Sequence, residues 1–399
     1  MKDIPRKEFF KRLLAYKDKH IIKVVTGVRR CGKSTLLNMF KTYLVESNVS
    51  EKQIIYLNFE DFDNSELLDP KNLYEYIKKH LTKNLMSYVF FDEIQNVRDF
   101  QRVVDSLFLN ENIDIYMTGS NAYFLSSELA TLLSGRYITI EMLPLSFREF
   151  ADAQDSNLSL TEKYRLYVER SSFPYALNFG NDKKEIIDYL RGVYSTIVLK
   201  DVIFRYKITD AKMLESIVRF IFDSIGSPLS SKRIADTMTS SGRKIDSKTV
   251  EKYISALQNS FIIYEAKRYD VKGKENLKLL EKYYSVDIGL RFMLLGQRAN
   301  DVGHILENIV YLELIRRGYQ VYVGKVDDME IDFVAQNSLG NTYIQVSASV
   351  RDENTLAREL KPLKAIKDNY PKMLLTLDED PDGDYEGIIR KNALDWLME

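Results

Sequence analysis

Cysteine is nearly absent from this chain of 399 residues: the single one, Cys31, excludes an intramolecular disulfide framework. Histidine is scarce too, and His20, His80 and His304 are scattered too widely for a structural zinc site. No apolar run approaches the roughly 18 residues of a membrane span. The opening segment is interrupted by charge throughout and lacks the apolar centre of a secretory signal. An excess of one charge is also missing. The 57 Lys+Arg and 58 Asp+Glu leave a net of −1, which argues against a uniformly basic polyanion binder but not against a local patch. The remainder is 45% hydrophobic and 29% charged, sufficient to bury real cores. At a prior of about 150 residues per domain, two or three domains are expected, in a cytoplasmic protein with no membrane partner.

Short apolar strands alternate with helical stretches over the first 150 residues, after an amphipathic lead helix at 5–18 that carries Phe9, Phe10, Leu13 and Leu14. Strands are expected at 21–26, 54–59, 88–91, 113–118 and 137–142, the pattern of a parallel α/β sheet. A helical connector follows over 151–212. Over 213–295 the order is helix, helix, a stronger helix at 248–260, a strand at 262–268, a Lys/Gly tip at 272–274 and a return strand near 282–286. Residues 296–399 read helix, three strands, helix, strand, helix.

The strongest chemical signal is Gly27-Val28-Arg29-Arg30-Cys31-Gly32-Lys33-Ser34-Thr35, a G-x-x-x-x-G-K-S loop between a buried strand and a helix. Its glycines let backbone N–H groups turn towards phosphate oxygens, and the helix N-terminus adds positive potential. Lys33 is expected on the β- and γ-phosphates and Ser34 on Mg²⁺. Arg29 and Arg30 either contact phosphate or face solvent, and Cys31 reads as a loop residue rather than a redox centre. Asp92 and Glu93 end the apolar run at 88–91, where an open α/β sheet binds its ligands. Asp92 is expected to organise the metal and Glu93 to polarise the attacking water. Ser120 is the first choice for a γ-phosphate sensor, with Thr118 and Asn121 as alternatives; Arg136 is a candidate finger supplied by a neighbouring subunit or an ordinary surface arginine. No N-K-x-D guanine-reading motif occurs, in keeping with ATP as the nucleotide.

These motifs resemble the prokaryotic AAA-type (additional-strand P-loop) ATPases that carry a C-terminal domain of unknown function. The matching stretches are GVRRCGKST, YLNFED at 56–61, VFFDEIQN at 89–96, MTGSNA at 117–122, LSGR at 133–136 and LPLSFREF at 143–150. FPYAL at 173–177, Lys200-Asp201 and KYYSVDIGL at 282–290 extend the resemblance over nearly the whole chain. It implies an ATP- and Mg²⁺-dependent enzyme.

The middle segment reads as a winged helix-turn-helix. Val250, Tyr253, Ile254 and Leu257 form a buried stripe, leaving Lys248 and Lys252 on other faces. With 12 Lys+Arg and 7 Asp+Glu over 231–282, net +5, this segment either docks on DNA, with Lys272 and Lys274 on the wing, or packs between domains. The last segment resembles the PD-(D/E)XK restriction-endonuclease-like fold. That resemblance puts Glu307 and Asp332 at a metal site, but Gln345 and Ser347 stand where an acid and a lysine belong, so a degenerate site is expected. The expected fold class is thus α/β: a P-loop sheet, a winged helix and a nuclease-like domain. The expected activity is ATP hydrolysis coupled to rearrangement of DNA- or protein-binding domains. The alternatives are a slow ATP-dependent switch and a cryptic metal-dependent nuclease.

Overall fold

The computed structural model describes residues 4–122, 133–180, 182–273, 275–296 and 301–399. Two compact units divide the chain: the first runs to Pro144 and includes Asn259–Phe261, and the second comprises Leu145–Gln258 and Ile262–Glu399. The first unit ends six residues before the boundary expected at 150, and Asn259–Phe261, within the expected segment 213–295, belong to it.

The first unit is built on β1 (Ile22–Thr26), β2 (Ile54–Asn58), β3 (Ser87–Asp92), β4 (Ile113–Gly119) and β5 (Tyr137–Glu141). All neighbours pair in parallel, in the order β2-β3-β4-β1-β5, so β4 stands between the strand leading to the phosphate loop and the strand ending in Asp92. Every residue of β1, β3 and β4 is buried, as a central parallel sheet requires when both faces are covered. The covering helices include α1 (Lys7–Ala15), α2 (Lys33–Glu46), α3 (Pro70–His80) and α4 (Phe100–Phe108). Phe100, Val103, Val104 and Leu107 of α4 fall at helical spacing and bury together against the sheet. Asp69 caps α3 by accepting from the N–H groups of Lys71 and Asn72, with Pro70 opening the helix. The lead helix is shorter than its apolar pattern suggests: Phe9 and Leu13 are buried, while Leu14 is exposed.

One ion pair lies inside this sheet. Lys23 of β1 and Asp114 of β4 are both fully buried and bonded to each other. The ammonium also donates to the Lys19 carbonyl at 2.8 Å, and the carboxylate accepts from Tyr116 Oη at 2.8 Å and the Asp18 N–H at 3.0 Å.

The second unit holds a mixed sheet of nine strands: β6 (Pro228–Leu229), β7 (Ile263–Asp270), β8 (Glu275–Ser285), β9 (Gln320–Val326), β10 (Met329–Asn337), β11 (Gly340–Ser347), β12 (Lys372–Thr376), β13 (Gly383–Asp384) and β14 (Ile388–Asn392), in the order β13-β14-β12-β11-β10-β9-β7-β8-β6. The hairpin β7–β8 is not a free wing, because Arg268–Asp270 of β7 pair in parallel with Val323–Lys325 of β9. It therefore continues the same sheet as the C-terminal strands. The helix Val302–Arg316 is buried without interruption from Ile305 to Leu314, which makes it a central element rather than a surface one. Helices Ala211–Asp223, Ser231–Ser240 and Ser247–Asn259 precede the hairpin in the expected order. No helix among the described residues is long and apolar enough to cross a membrane.

Candidate functional site

The phosphate loop takes its shape from two residues that need positive φ. Gly27 has φ +143°, and a Cβ there would lie 2.1 Å from the Met142 carbonyl oxygen; Gly32, at φ 104°, is the N-cap of α2. No N-cap side chain bonds the first turn of α2, and although the Lys33 N–H bonds the Cys31 sulfur, a helix N-terminus has further N–H groups to offer a ligand. Lys33 is buried, and its ammonium donates to the carbonyls of Gly27 at 3.0 Å and Val28 at 3.2 Å and lies 3.7 Å from Glu93 Oε1. An ammonium, a row of helix N–H groups and the Ser34 hydroxyl form a donor set that fits a polyphosphate with its cation.

Parallel pairing brings the ends of β3 and β4 beside this loop, because the two strands advance in register from Ser87↔Ile113 to Phe91↔Met117. Thr118 is the linking residue. Its hydroxyl donates to Asp92 Oδ1 at 2.6 Å and accepts from the Glu93 N–H at 2.8 Å. The other Asp92 oxygen accepts from Tyr56 Oη at 3.0 Å. Burial first, then the Asp92 charge, pushes the Tyr56 phenol well up, so it remains a donor. Glu93 sits in the left-handed region, φ 54°, with its carboxylate bonded to the Gln95 amide. Burial pulls the Glu93 carboxyl upward, but the cations of Lys33 and Arg29, with bonds from Gln95 and Ser120, outweigh it and hold it below the usual value. Gln95 also approaches Ser120 Oγ at 3.4 Å, and its own carbonyl oxygen is buried with no partner among the described residues. The cluster thus has hydrogen-bonding capacity left for a further polar group.

Lys33, Asp92, Glu93, Thr118 and Ser120 are therefore gathered by the structure. Asn121, the other alternative, is buried. Arg136 is not gathered. It precedes β5 at the N-terminal edge of the sheet, where its carbonyl accepts from the Ile22 N–H, and its guanidinium pairs with Asp105 and lies over Phe108. The five residues of β1 separate that edge from the loop by on the order of 15 Å. Arg29 pairs with Glu60 at 2.6 Å, and Arg30 is exposed with φ 70°. Cys31 is buried and its thiol is pushed up by that burial, which removes the thiolate that redox chemistry needs. Two contributors have no role assigned from the sequence. Gln95 follows the acidic pair, and buried Arg6 ties the loop to the segment after β5 by donating to the carbonyls of Cys31 at 2.9 Å and Leu143 at 2.6 Å. No spacing rule points to Arg6, because a bond to a backbone oxygen leaves no residue pattern in the sequence.

Thr118→Val should remove both bonds at once and leave buried polar groups unpaired, a cost of about 1–3 kcal/mol. The melting temperature is expected to fall, and Thr118→Ser to recover most of it.

In the second unit, Glu307 on the helix Val302–Arg316 and Asp332 on β10 do converge. Gln345 of β11 also faces them: its carbonyl oxygen accepts from the Asp332 N–H at 3.3 Å, and its amide donates to Glu359 at 2.8 Å. Ser347 does not join them, since its hydroxyl donates to the Ser349 carbonyl at 3.1 Å. On the helix Ser247–Asn259, Lys248 and Lys252 are exposed, whereas Lys272 is ion-paired with Asp327 at 2.5 Å. Lys274 lies outside the described residues.

The strand order and the loop geometry define a P-loop domain of the AAA ATPase type. In agreement, residues 19–151 match the model of the AAA domain, and residues 161–301 match a domain of unknown function, DUF8612. An uncharacterized protein of Haemophilus influenzae is 40% identical over 99% of both chains. One of Methanocaldococcus jannaschii is 31% identical over 87% of this chain and 79% of its own. The chain belongs to this family of AAA-domain proteins. Among solved structures, a Walker-type ATPase of Pyrococcus abyssi has the same fold, with a TM-score of 0.52 over 73% of this chain and 96% of that one, at 16% identity.

Proposed function

We propose that the protein is a Mg²⁺-dependent ATPase whose nucleotide state rearranges its C-terminal part, which engages DNA or a protein partner. The observation that carries this reading is the convergence of Lys33, Glu93 and the Thr118–Asp92 pair at the C-terminal ends of parallel strands. Lys33 exchanges its loop carbonyls for the β- and γ-phosphates. Ser34 and Asp92 would hold Mg²⁺, which would offset phosphate charge. Thr118 and Tyr56 fix the Asp92 carboxylate, leaving it oriented before nucleotide arrives. Glu93, kept ionised by the neighbouring cations, accepts the proton of the attacking water, while Ser120 and Gln95 position it. Arg136, far from its own loop, serves only if it reaches the site of a neighbouring subunit. ATP rather than GTP is supported by the AAA-domain match and by the missing N-K-x-D motif.

The three helices and the hairpin support a winged-helix reading of 213–295, with Lys248 and Lys252 towards duplex phosphates. The order of the helix Val302–Arg316, the strands β9, β10 and β11, and the helix Glu353–Lys364 supports a nuclease-derived scaffold. A second reading, a slow switch, is favoured by the Lys33–Glu93 approach, which must open before either residue can act. Turnover without DNA and with single-stranded, duplex and branched DNA separates these readings. Repeated, DNA-stimulated cycles support the first reading; a stall near one turnover supports the switch. If duplex DNA is the partner, Lys248→Glu/Lys252→Glu should reduce its stimulation at least tenfold, by about 1.4 kcal/mol or more of lost phosphate attraction. No effect of any DNA would leave a protein as the partner.

A further inference from the structure

The acids at the nuclease-like site surround a cation that the linear pattern assigns no role. Lys282 of β8 is buried, and its ammonium lies 2.9 Å from Glu307 Oε1, 2.9 Å from Glu330 Oε1 and 3.7 Å from Asp332 Oδ1. The arrangement follows from strand periodicity. Lys282 and Tyr284, two residues apart on β8, project the same way, and both bond to Glu307 Oε1, the tyrosine hydroxyl at 2.7 Å. Glu330 and Asp332, two apart on β10, supply the other two carboxylates. The remaining oxygens are also engaged or walled in. Asp332 Oδ2 accepts from the Val346 N–H at 2.8 Å, and a Cβ on Gly226 would come within 3.1 Å of Glu307 Oε2, where His304 Nδ1 stands at 3.9 Å. Arg268 approaches Glu330 at 3.4 Å from the rim.

We propose that the Lys282 ammonium is the resident cation of this acidic cluster and closes it to divalent metal ions, so that Lys282, rather than the loss of a lysine at Ser347, decides that the site does not cleave phosphodiesters. A buried carboxylate pair must be neutralised by a proton, a metal or an ammonium. Here the ammonium lies against both carboxylates, and Ser347 is bonded elsewhere. The inference rests on the nuclease-derived reading of this domain and on the geometry of the cluster, and stands or falls independently of the ATPase reading.

The test uses nucleotide-free full-length protein carrying Asp92→Ala, which removes the metal ligand expected at the phosphate loop. Mn²⁺ binding is followed by electron paramagnetic resonance and calorimetry. With Lys282 present, no Mn²⁺ that depends on Asp332 is expected. Lys282→Met should take up one Mn²⁺ per chain and lose it again when Asp332→Asn is added, while Lys282→Arg should remain closed. The proposal is overturned if Asp332→Asn removes bound Mn²⁺ from protein that retains Lys282, or if a folded Lys282→Met variant binds none. Should Lys282→Met fail to fold, the protein with Lys282 intact decides: Mn²⁺-dependent plasmid cleavage or Mn²⁺ binding that disappears in Asp332→Asn overturns the proposal, and the absence of both supports it.

Discussion

Lys33→Ala is expected to abolish ATP turnover, and Glu93→Gln to bind ATP while hydrolysing it about 10²–10⁴-fold more slowly, the range for loss of a general base. The two losses differ in kind. Lys33 is a buried positive charge within the loop, so its removal weakens ground-state binding together with charge stabilisation. Glu93→Gln keeps the size of the side chain and one acceptor oxygen but not its charge or proton affinity. Phosphate release and binding of a fluorescent ATP analogue separate the two effects. Wild-type hydrolysis in both variants would remove the catalytic assignment. Because the Glu93 carboxyl is held below its usual value, it stays ionised down to mildly acidic pH. Activity lost on acidification should therefore fall off below the ordinary glutamate range, not near neutrality.

The second large effect concerns stability. Lys23→Met should cost about 3–5 kcal/mol, because Asp114 is left as an uncompensated charge inside the sheet. Replacing both partners, as Lys23→Met/Asp114→Leu, should recover much of the loss, since neither charge then needs solvation. The pH dependence has a definite sign. Burial raises the Asp114 carboxyl above the ordinary aspartate value even with Lys23 present, and removing the cation raises it further. The folded form of Lys23→Met then binds a proton that the unfolded chain releases, so its stability decreases as pH rises above the ordinary aspartate value. Calorimetric melting at pH 5 and pH 8 should show the larger deficit at pH 8. An equal deficit at both would mean that Asp114 does not titrate in the folded variant.

The reach of sequence reasoning differs between the two units for a local reason. The phosphate loop is contiguous and its chemistry depends on backbone conformation, so Gly27, Gly32, Lys33 and Ser34 are legible from spacing alone. The five strands of the first unit are equally legible, as apolar runs ending in small or acidic residues, and each lies within a residue or two of its expected bounds. Contacts between strands are not legible in this way. Which of Thr118, Ser120 and Asn121 meets Asp92 depends on the register between β3 and β4, and that register turns Thr118, not Ser120, onto the carboxylate. Arg136 illustrates the same point in reverse: a suggestive dipeptide is placed by strand direction at the far edge of its own sheet.

In the second unit the order of elements is legible, but their assembly into one sheet is not. A hairpin reads as a wing until β7 is seen paired with β9. Glu307 and Asp332 are identifiable by resemblance, and the missing lysine at position 347 is plain. The cation that meets them instead comes from Lys282, 25 residues before Glu307. By itself, then, the sequence determined that this protein has a phosphate loop, a strand-end acidic pair and an α/β order, because each is a short-range pattern of backbone and burial. Only the tertiary structure decided that Thr118 couples the acids and that Lys282 occupies the second cluster. Both depend on how distant strands register against one another, which no local pattern encodes.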